Sequence, residues 1–417
     1  MYAFRAIAVN DSEYQIISTI ENENICVLEV AQGEVDNVLQ VLSDDENVLY
    51  AQPDYKVQIS SDNLSEKLWA IQNNGQTIDG STGVEGFDIG VLQAWDITKG
   101  NEKTVIGVID TGIDINHSAL TNNIWINENE IAGNNIDDDE NGFVDDVNGW
   151  DFVNNDSSVY DAATLDEHGT HIAGIITGEN IEHSFSGIAP NVKIMPLKAL
   201  NYNSGYTSDI LAAIEYADKM GIEIINCSFS GLDYNVALAD AISNHPNILF
   251  ICAAGNYGKN TDEMITFPAC YDADNILSVT AVNNKGVLAP FSTYGEGVDV
   301  AAPGMNIYST LPNNEYGFKD GTSSSSAYAS GIAALVRDAN KTANVIQLKE
   351  KIIQSCITEV ASSEESIGVV DAGEALEKEV KLYPYIVEND VEKENDFPFT
   401  FDKSEQETIK LTFSTTD

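Results

Sequence analysis

Thr104-Val-Ile-Gly-Val-Ile-Asp-Thr-Gly-Ile-Asp114 is a short apolar run that ends in a carboxylate on a glycine turn. Without polar alternation, such a run predicts a strand buried on both faces. Residues 222–228, 248–253 and 276–282 have the same character, whereas 207–220 and 323–339 show helical spacing. Apolar strands separated by helices predict an α/β domain over residues 69–376, with a mostly parallel sheet and helices on both faces. Ligands in such sheets gather at the carboxyl ends of strands. Asp110, Ser228 and Asn256 all fall there.

Two later segments complete the chemistry begun at Asp110. Glu167-His-Gly-Thr-His171 supplies an imidazole, and Asp320-Gly-Thr-Ser323-Ser-Ser-Ser326 a hydroxyl, each on a glycine-flanked turn. Serine is a weak nucleophile until a base takes its proton, and the base needs an orienting group. Singly, an aspartate before glycine is an ordinary turn, and a serine at a helix start an ordinary cap. Together they form a set. The order Asp110, His168, Ser323 is that of subtilisin, and the sequence resembles the subtilase family of serine endopeptidases, peptidase family S8. The resemblance covers residues 25–376. It implies that Asp110 orients His168, that His168 is the base for Ser323, and that peptide bonds are cleaved through an acyl-enzyme. His171 is then a structural residue of the same helix, and His117, His183 and His245 carry no chemistry.

The resemblance extends to the rest of the site. Ala253-Ala-Gly-Asn256 matches the family's oxyanion-hole segment, so Asn256 and the Ser323 backbone N–H are the implied donors. Asn226-Cys-Ser-Phe-Ser-Gly231 matches the segment that pairs with substrate and walls the first specificity pocket, which assigns Ser228, Phe229 and Ser230 to substrate binding. Ala254 and Gly255 are assigned with them, Ser204-Gly205 to the opposing edge of the groove, and Thr266, before a Phe267-Pro268 turn, to the pocket floor. Several positions depart from the family pattern. Ser230 stands where glycine is usual, and Ala327 and Tyr328 stand where Pro and His are usual. Proline is tolerated in a first helical turn but not required there. Because Thr266 and Ala269 offer no carboxylate, apolar or medium side chains are expected before the scissile bond rather than Lys or Arg.

Charge is the compositional outlier: 20 Lys+Arg against 67 Asp+Glu give a net −47. That argues against a basic nucleic-acid surface and favours cations and basic partners. Asp137, Asp139, Asn141 and Asp145 alternate around an Asn-Gly turn, the donor pattern of a hard-cation loop, although Asn148 stands where an EF-hand places its closing Glu. The resemblance likewise implies structural calcium in such an insertion, with no catalytic metal. The five cysteines, Cys26, Cys227, Cys252, Cys270 and Cys356, are scattered and odd in number, so neither a zinc pair nor a disulfide framework is expected. No apolar run is long enough to predict a membrane span. The start, Met1-Tyr-Ala-Phe-Arg-Ala-Ile-Ala8, lacks the basic-then-apolar design of a signal peptide.

Residues 1–60 read as a small α+β unit. Residues 25–30 are strand-like, Val35, Val38, Leu39 and Leu42 recur at helical spacing, and 48–57 is extended. This resembles the later half of the family's propeptide inhibitor, whose upstream strand and helix are not apparent, so a truncated amino terminus is expected. Residues 377–417 are acidic and read as a tail or the start of a β domain, with a strand-like patch at 408–413. The composite expectation is a monomeric protease precursor, secreted or at the cell surface by family resemblance. Its partners are protein or peptide substrates and its own propeptide. A catalytically weak or inactive peptide-binding relative is disfavoured by the complete set of Asp110, His168, Ser323 and Asn256. An α/β-hydrolase esterase needs Gly-x-Ser-x-Gly and the order Ser, acid, His, both absent.

Overall fold

The computed structural model describes residues 14–20, 25–31, 35–45, 48–53, 66–180, 184–202, 204–361, 366–377 and 408–415. The chain divides into two units: residues 1–61 with 385–417, and residues 62–384.

The smaller unit is a four-stranded antiparallel sheet with one helix. Its strands β1 (Tyr14–Ile20), β2 (Ile25–Ala31) and β3 (Val48–Pro53) are joined by Thr408–Thr415, which pairs between β2 and β3. The period-2 pattern of β2 turns Leu28 and Val30 to one face. Helix α1 (Val35–Ser43) lays Val38 and Leu42 against them, and all four are buried. The extended segment expected at 54–57, most of the acidic segment at 378–407, residues 1–13 and His183 lie outside the described residues.

The larger unit is built on strands β4 (Val105–Asp110), β5 (Trp150–Asp151), β6 (Lys193–Lys198), β7 (Ile224–Cys227), β8 (Leu249–Ala253), β9 (Ile276–Val282) and β10 (Val300–Pro303). A hairpin, β11 (Ile307–Leu311) and β12 (Glu315–Lys319), follows, and β13 (Thr358–Ala361) and β14 (Ser366–Val369) complete the set. The main sheet runs β13-β14-β10-β9-β8-β7-β4-β6-β5. All its neighbours are parallel except the edge pair β13–β14.

Each central strand feeds two cores. Ile106, Val108, Leu249 and Ile251 face one side, where helices α2 (Glu167–Thr177) and α5 (Thr322–Ala339) pack. Ile109, Phe250 and Cys252 face the other, covered by α3 (Thr207–Lys219) and α4 (Val236–Asn244). Burial on both faces explains why these strands are nearly continuous apolar runs. The chain leaves β4 first toward β5 and β6, then crosses back to build β7 through β10. The strand order therefore reverses beside β4, and it is at the carboxyl ends of strands at such a reversal that ligands bind. Asp110 sits at that point.

Candidate active site

Asp110, the last residue of β4, is buried, and His168 is the second residue of α2. The two meet through Nδ1 of His168, 2.7 and 2.9 Å from the carboxylate oxygens of Asp110. The approach depends on glycine. A Cβ at Gly169 would lie 2.2 Å from the Gly112 carbonyl and 3.1 Å from Asp110 Oδ1. Gly112 has φ +117°, and a Cβ there would sit 2.8 Å from the Val159 carbonyl. Burial pushes the His168 imidazolium pKa down, but the charge and hydrogen bond of Asp110 outweigh it, so the pKa is raised. Lys319 lowers it and Glu167 raises it, and these two pair with each other at 2.5 Å.

Ser323 is the second residue of α5. Its Oγ donates to the Ser228 carbonyl at 3.0 Å, at the end of β7. Among the described hydrogen bonds, none joins Ser323 Oγ to His168; such bonds often tighten only when substrate binds. Asn256 follows β8, and its Oδ1 accepts from Thr322 N (2.9 Å) and Thr322 Oγ1 (3.0 Å). Thr322 Oγ1 in turn accepts from Gly255 N at 3.1 Å. Its oxygen is thus engaged, and no described hydrogen bond occupies Asn256 Nδ2. The Ser323 N–H lies in the first turn of α5 and has no intrahelical acceptor.

Around this centre, Ser228 is buried while Phe229 and Ser230 are partly exposed. Gly231 exchanges backbone hydrogen bonds with Phe267 (2.8 and 2.9 Å), whose bond to Pro268 is cis. Thr266 is buried and donates from Oγ1 to the Ala254 carbonyl at 2.6 Å, which ties the segment of Ala254 and Gly255 to the expected pocket floor. Glu263 points to Lys259 at 3.4 Å. Ser204 and Gly205 are exposed and pair with Leu200 and Asn201 in a short ladder.

Sequence reading missed the hairpin β11–β12, which seats the histidine helix. Ser309 Oγ donates to the His171 carbonyl and Thr310 Oγ1 to the Thr170 carbonyl, each at 2.7 Å. His171 is buried and donates from Nε2 to the Ile307 carbonyl at 3.1 Å, and its Nδ1 has no partner among the described residues. Burial and the nearby cation Lys319 hold its pKa down at about 3. His171 is therefore neutral and structural.

In the acidic loop the structure gathers Asp137 and Asp139 with Glu130, their carboxylate oxygens within 4.8 Å of one another. Sequence reading missed Glu130, which stands outside the alternating pattern. Asp145, expected as a ligand, lies outside that cluster and accepts the backbone N–H groups of Asn134 (3.1 Å) and Asn135 (3.0 Å); backbone N–H groups also donate to Glu130, Asp137 and Asp139. The Asn141 amide donates to Asp139 and Asp146. No lysine or arginine among the described residues pairs with the three clustered carboxylates. Three close oxygen donors without a counter-charge suit a hard cation such as calcium.

The doubly covered parallel sheet, with aspartate, histidine, serine and asparagine at the carboxyl ends of its strands and the start of two helices, has the arrangement of a serine-hydrolase site. Residues 101–386 match the subtilase family, peptidase S8. A thermophilic serine proteinase of Bacillus sp. strain AK1 is 35% identical over 333 residues, 78% of this chain and 71% of that protein. Thermitase of Thermoactinomyces vulgaris is 33% identical over 259 residues, 61% of this chain and 82% of its own. A protease structure from Pseudoalteromonas arctica superimposes with a TM-score of 0.60 at 23% identity, covering 75% of this chain and 98% of that one, which shows the shared fold. The chain belongs to the subtilase family.

Proposed function

We propose that this subtilisin-like serine endopeptidase cleaves peptide bonds with Ser323 as nucleophile, His168 as base and Asp110 as orienting carboxylate. The observation that carries this reading is the two-oxygen contact of Asp110 with His168 Nδ1. It leaves Nε2 as the nitrogen free to take the Ser323 proton and return it to the leaving amine. Ser323 Oγ bonds to the carbonyl carbon, and the oxyanion is received by Asn256 Nδ2 and the Ser323 N–H. Water then hydrolyses the acyl-enzyme by the reverse sequence of proton transfers.

A substrate strand would lie between Ser204-Gly205 and Ser228-Phe229-Ser230, matching backbone to backbone. Ala254, Gly255 and Thr266 would line the pocket for the residue before the scissile bond. The Thr266 hydroxyl is spent on Ala254 and Glu263 is turned to Lys259, which supports a pocket in which neither residue meets a cation. Apolar or medium side chains are preferred there over Lys and Arg. The smaller unit is read as an inhibitory propeptide, and Glu130, Asp137 and Asp139 as holders of a structural calcium ion, with no catalytic metal. The family likeness supports a location outside the cell or at its surface.

The test is labelling by a serine-reactive fluorophosphonate alongside casein hydrolysis, with Ser323→Ala as control. Wild type should label and cleave. Ser323→Ala should do neither, with a loss of about 10⁶ in kcat as in the subtilisin triad, whereas Asn256→Ala should lose about 10²–10³. Labelling at another serine, or equal cleavage by the control, overturns the assignment. Ser323→Ala protein should also remain full length if propeptide removal is self-catalysed.

A further inference from the structure

One strand away from the Asp110–His168 pair, a lysine is buried where a core residue would serve. Lys198 ends β6 directly beside Asp110, and its side chain is 1% exposed. Its Nζ donates to the Thr111 carbonyl and, at 2.6 Å, to Asp166 Oδ1. Asp166 is wholly buried and immediately precedes α2. Its second carboxylate oxygen accepts from the backbone of Asp161 (2.6 Å) and Ala162 (3.0 Å), and its carbonyl accepts from Thr170 Oγ1 (2.8 Å). One ion pair therefore ties the residue after Asp110 to the residue two before His168.

Taking both charges out of water is expensive, and apolar residues of similar volume often stabilise a core as well or better. What the pair adds is directional. The ammonium reaches the Asp110 turn and the start of the His168 helix at once. Two lighter contacts run in parallel: Gly169 N donates to Thr111 Oγ1 (3.1 Å) and Asp114 N to Thr170 Oγ1 (3.0 Å). We propose that Lys198 and Asp166 are positioning residues that hold the Asp110 turn and the His168 helix in catalytic register. The proposal rests on the roles given above to Asp110 and His168.

Other charges surround both centres. Lys198 is also 3.4 Å from Asp161 and acts on Asp151 of β5. His168 is faced by Asp110 of β4, Glu167 and His171 of its own helix, and Lys319 of β12. A variant that merely deletes the lysine would leave Asp151, Asp161 and Asp166 uncompensated. Lys198→Met/Asp166→Asn avoids this for the paired residue, because the amide oxygen still accepts from Asp161 and Ala162 while the ion pair is gone.

Three readouts on purified full-length protein test the proposal: melting temperature, kcat with KM on a peptide substrate, and the pH profile of kcat/KM. Positioning predicts that the double variant melts near wild type, loses about 10-fold or more in kcat at unchanged KM, and shifts its acidic limb, since small misplacements of reacting groups are costly. Wild-type kcat with an unshifted limb in the folded double variant overturns the proposal and leaves the reading of Ser323 standing. Absence of fluorophosphonate labelling in wild type would instead strike that reading. If the double variant does not fold, Asp166→Asn alone is examined in the Ser323→Ala background by proton NMR of the His168 Nδ1–H. An unchanged resonance there overturns the proposal.

Discussion

Ser228 and Ser323 are hydrogen-bonded in both directions: Ser323 Oγ donates to the Ser228 carbonyl at 3.0 Å, and Ser228 Oγ donates to the Ser323 carbonyl at 3.1 Å. The reciprocal pair fastens the first turn of α5 to the end of β7. Behind it, Asn226 Nδ2 donates to Ser228 Oγ at 2.7 Å, and Ser330 Oγ donates to Asn226 Oδ1 at 3.1 Å. The serine-rich start of α5 is thus a buried polar seam in which the donors find acceptors.

Ser228→Ala should open that seam. It leaves the buried Asn226 amide without its acceptor, at a cost of about 1–3 kcal/mol. Denaturant unfolding in the Ser323→Ala background, where self-digestion is absent, is the measurement. An unchanged midpoint would show that the seam contributes nothing.

The acidic limb of activity should follow the charges around His168. Turnover needs the neutral imidazole, and Asp110 raises its pKa, so activity is lost as pH falls through a value above the ordinary 6.5. Glu167→Gln should move the limb to lower pH and Lys319→Met to higher pH, because the carboxylate favours the imidazolium and the ammonium opposes it. Both residues are partly exposed, so salt should shrink both shifts. Shifts in the same direction would refute the electrostatic account.

Acid should destabilise the fold through His171. Its folded-state pKa is about 3, against an ordinary 6.5, so the folded protein binds fewer protons than the unfolded chain between these values. The stability it contributes is therefore present above pH 6.5 and lost as pH falls toward 3, by about 4–5 kcal/mol in all at 1.36 kcal/mol per unit. His171→Gln in the Ser323→Ala background should flatten the dependence of urea midpoint on pH in that window, even though it lowers stability at neutral pH. An equally steep profile in the variant would place the titration elsewhere.

Chelation should lower the melting temperature by removing an ion from the Glu130 cluster. A ligand present at a hundredfold excess over its Kd contributes about 2.7 kcal/mol. Glu130→Gln should weaken that response, and Asp137→Ala/Asp139→Ala should abolish it, while Asp145→Asn should reduce it less. A full response in the double variant would move the ion to another site.

The sheet was legible because strands buried on both faces are mostly apolar, as residues 105–109 are throughout and 276–282 are apart from Ser278 and Thr280. The candidate site was legible because its turns need glycine beside Asp110, His168 and Ser323, which leaves short recognisable motifs. Lys198 was not legible. A lysine closing the run Ile194-Met-Pro-Leu-Lys198 looks like an exposed strand end, and only the tertiary approach of Asp166 shows otherwise. Glu130 went unread because it reaches the acidic loop from seven residues before Asp137. The hairpin was obscure because Glu315–Lys319 has only partly buried or exposed side chains and little apolar pattern.

That hairpin sets a timetable. It seats the histidine helix through Ser309, Thr310 and the carbonyl that receives His171, and it leads within three residues into the helix of Ser323. During synthesis, which runs from the amino end, Asp110 and His168 emerge well over a hundred residues before either that seat or the hydroxyl they serve. On the roles proposed above, a growing chain that stops short of residue 320 carries an acid and a base but no hydroxyl to attack a peptide bond. On that reading the capacity to cleave arrives late, because the order of elements along the chain places the hydroxyl well after the acid and the base.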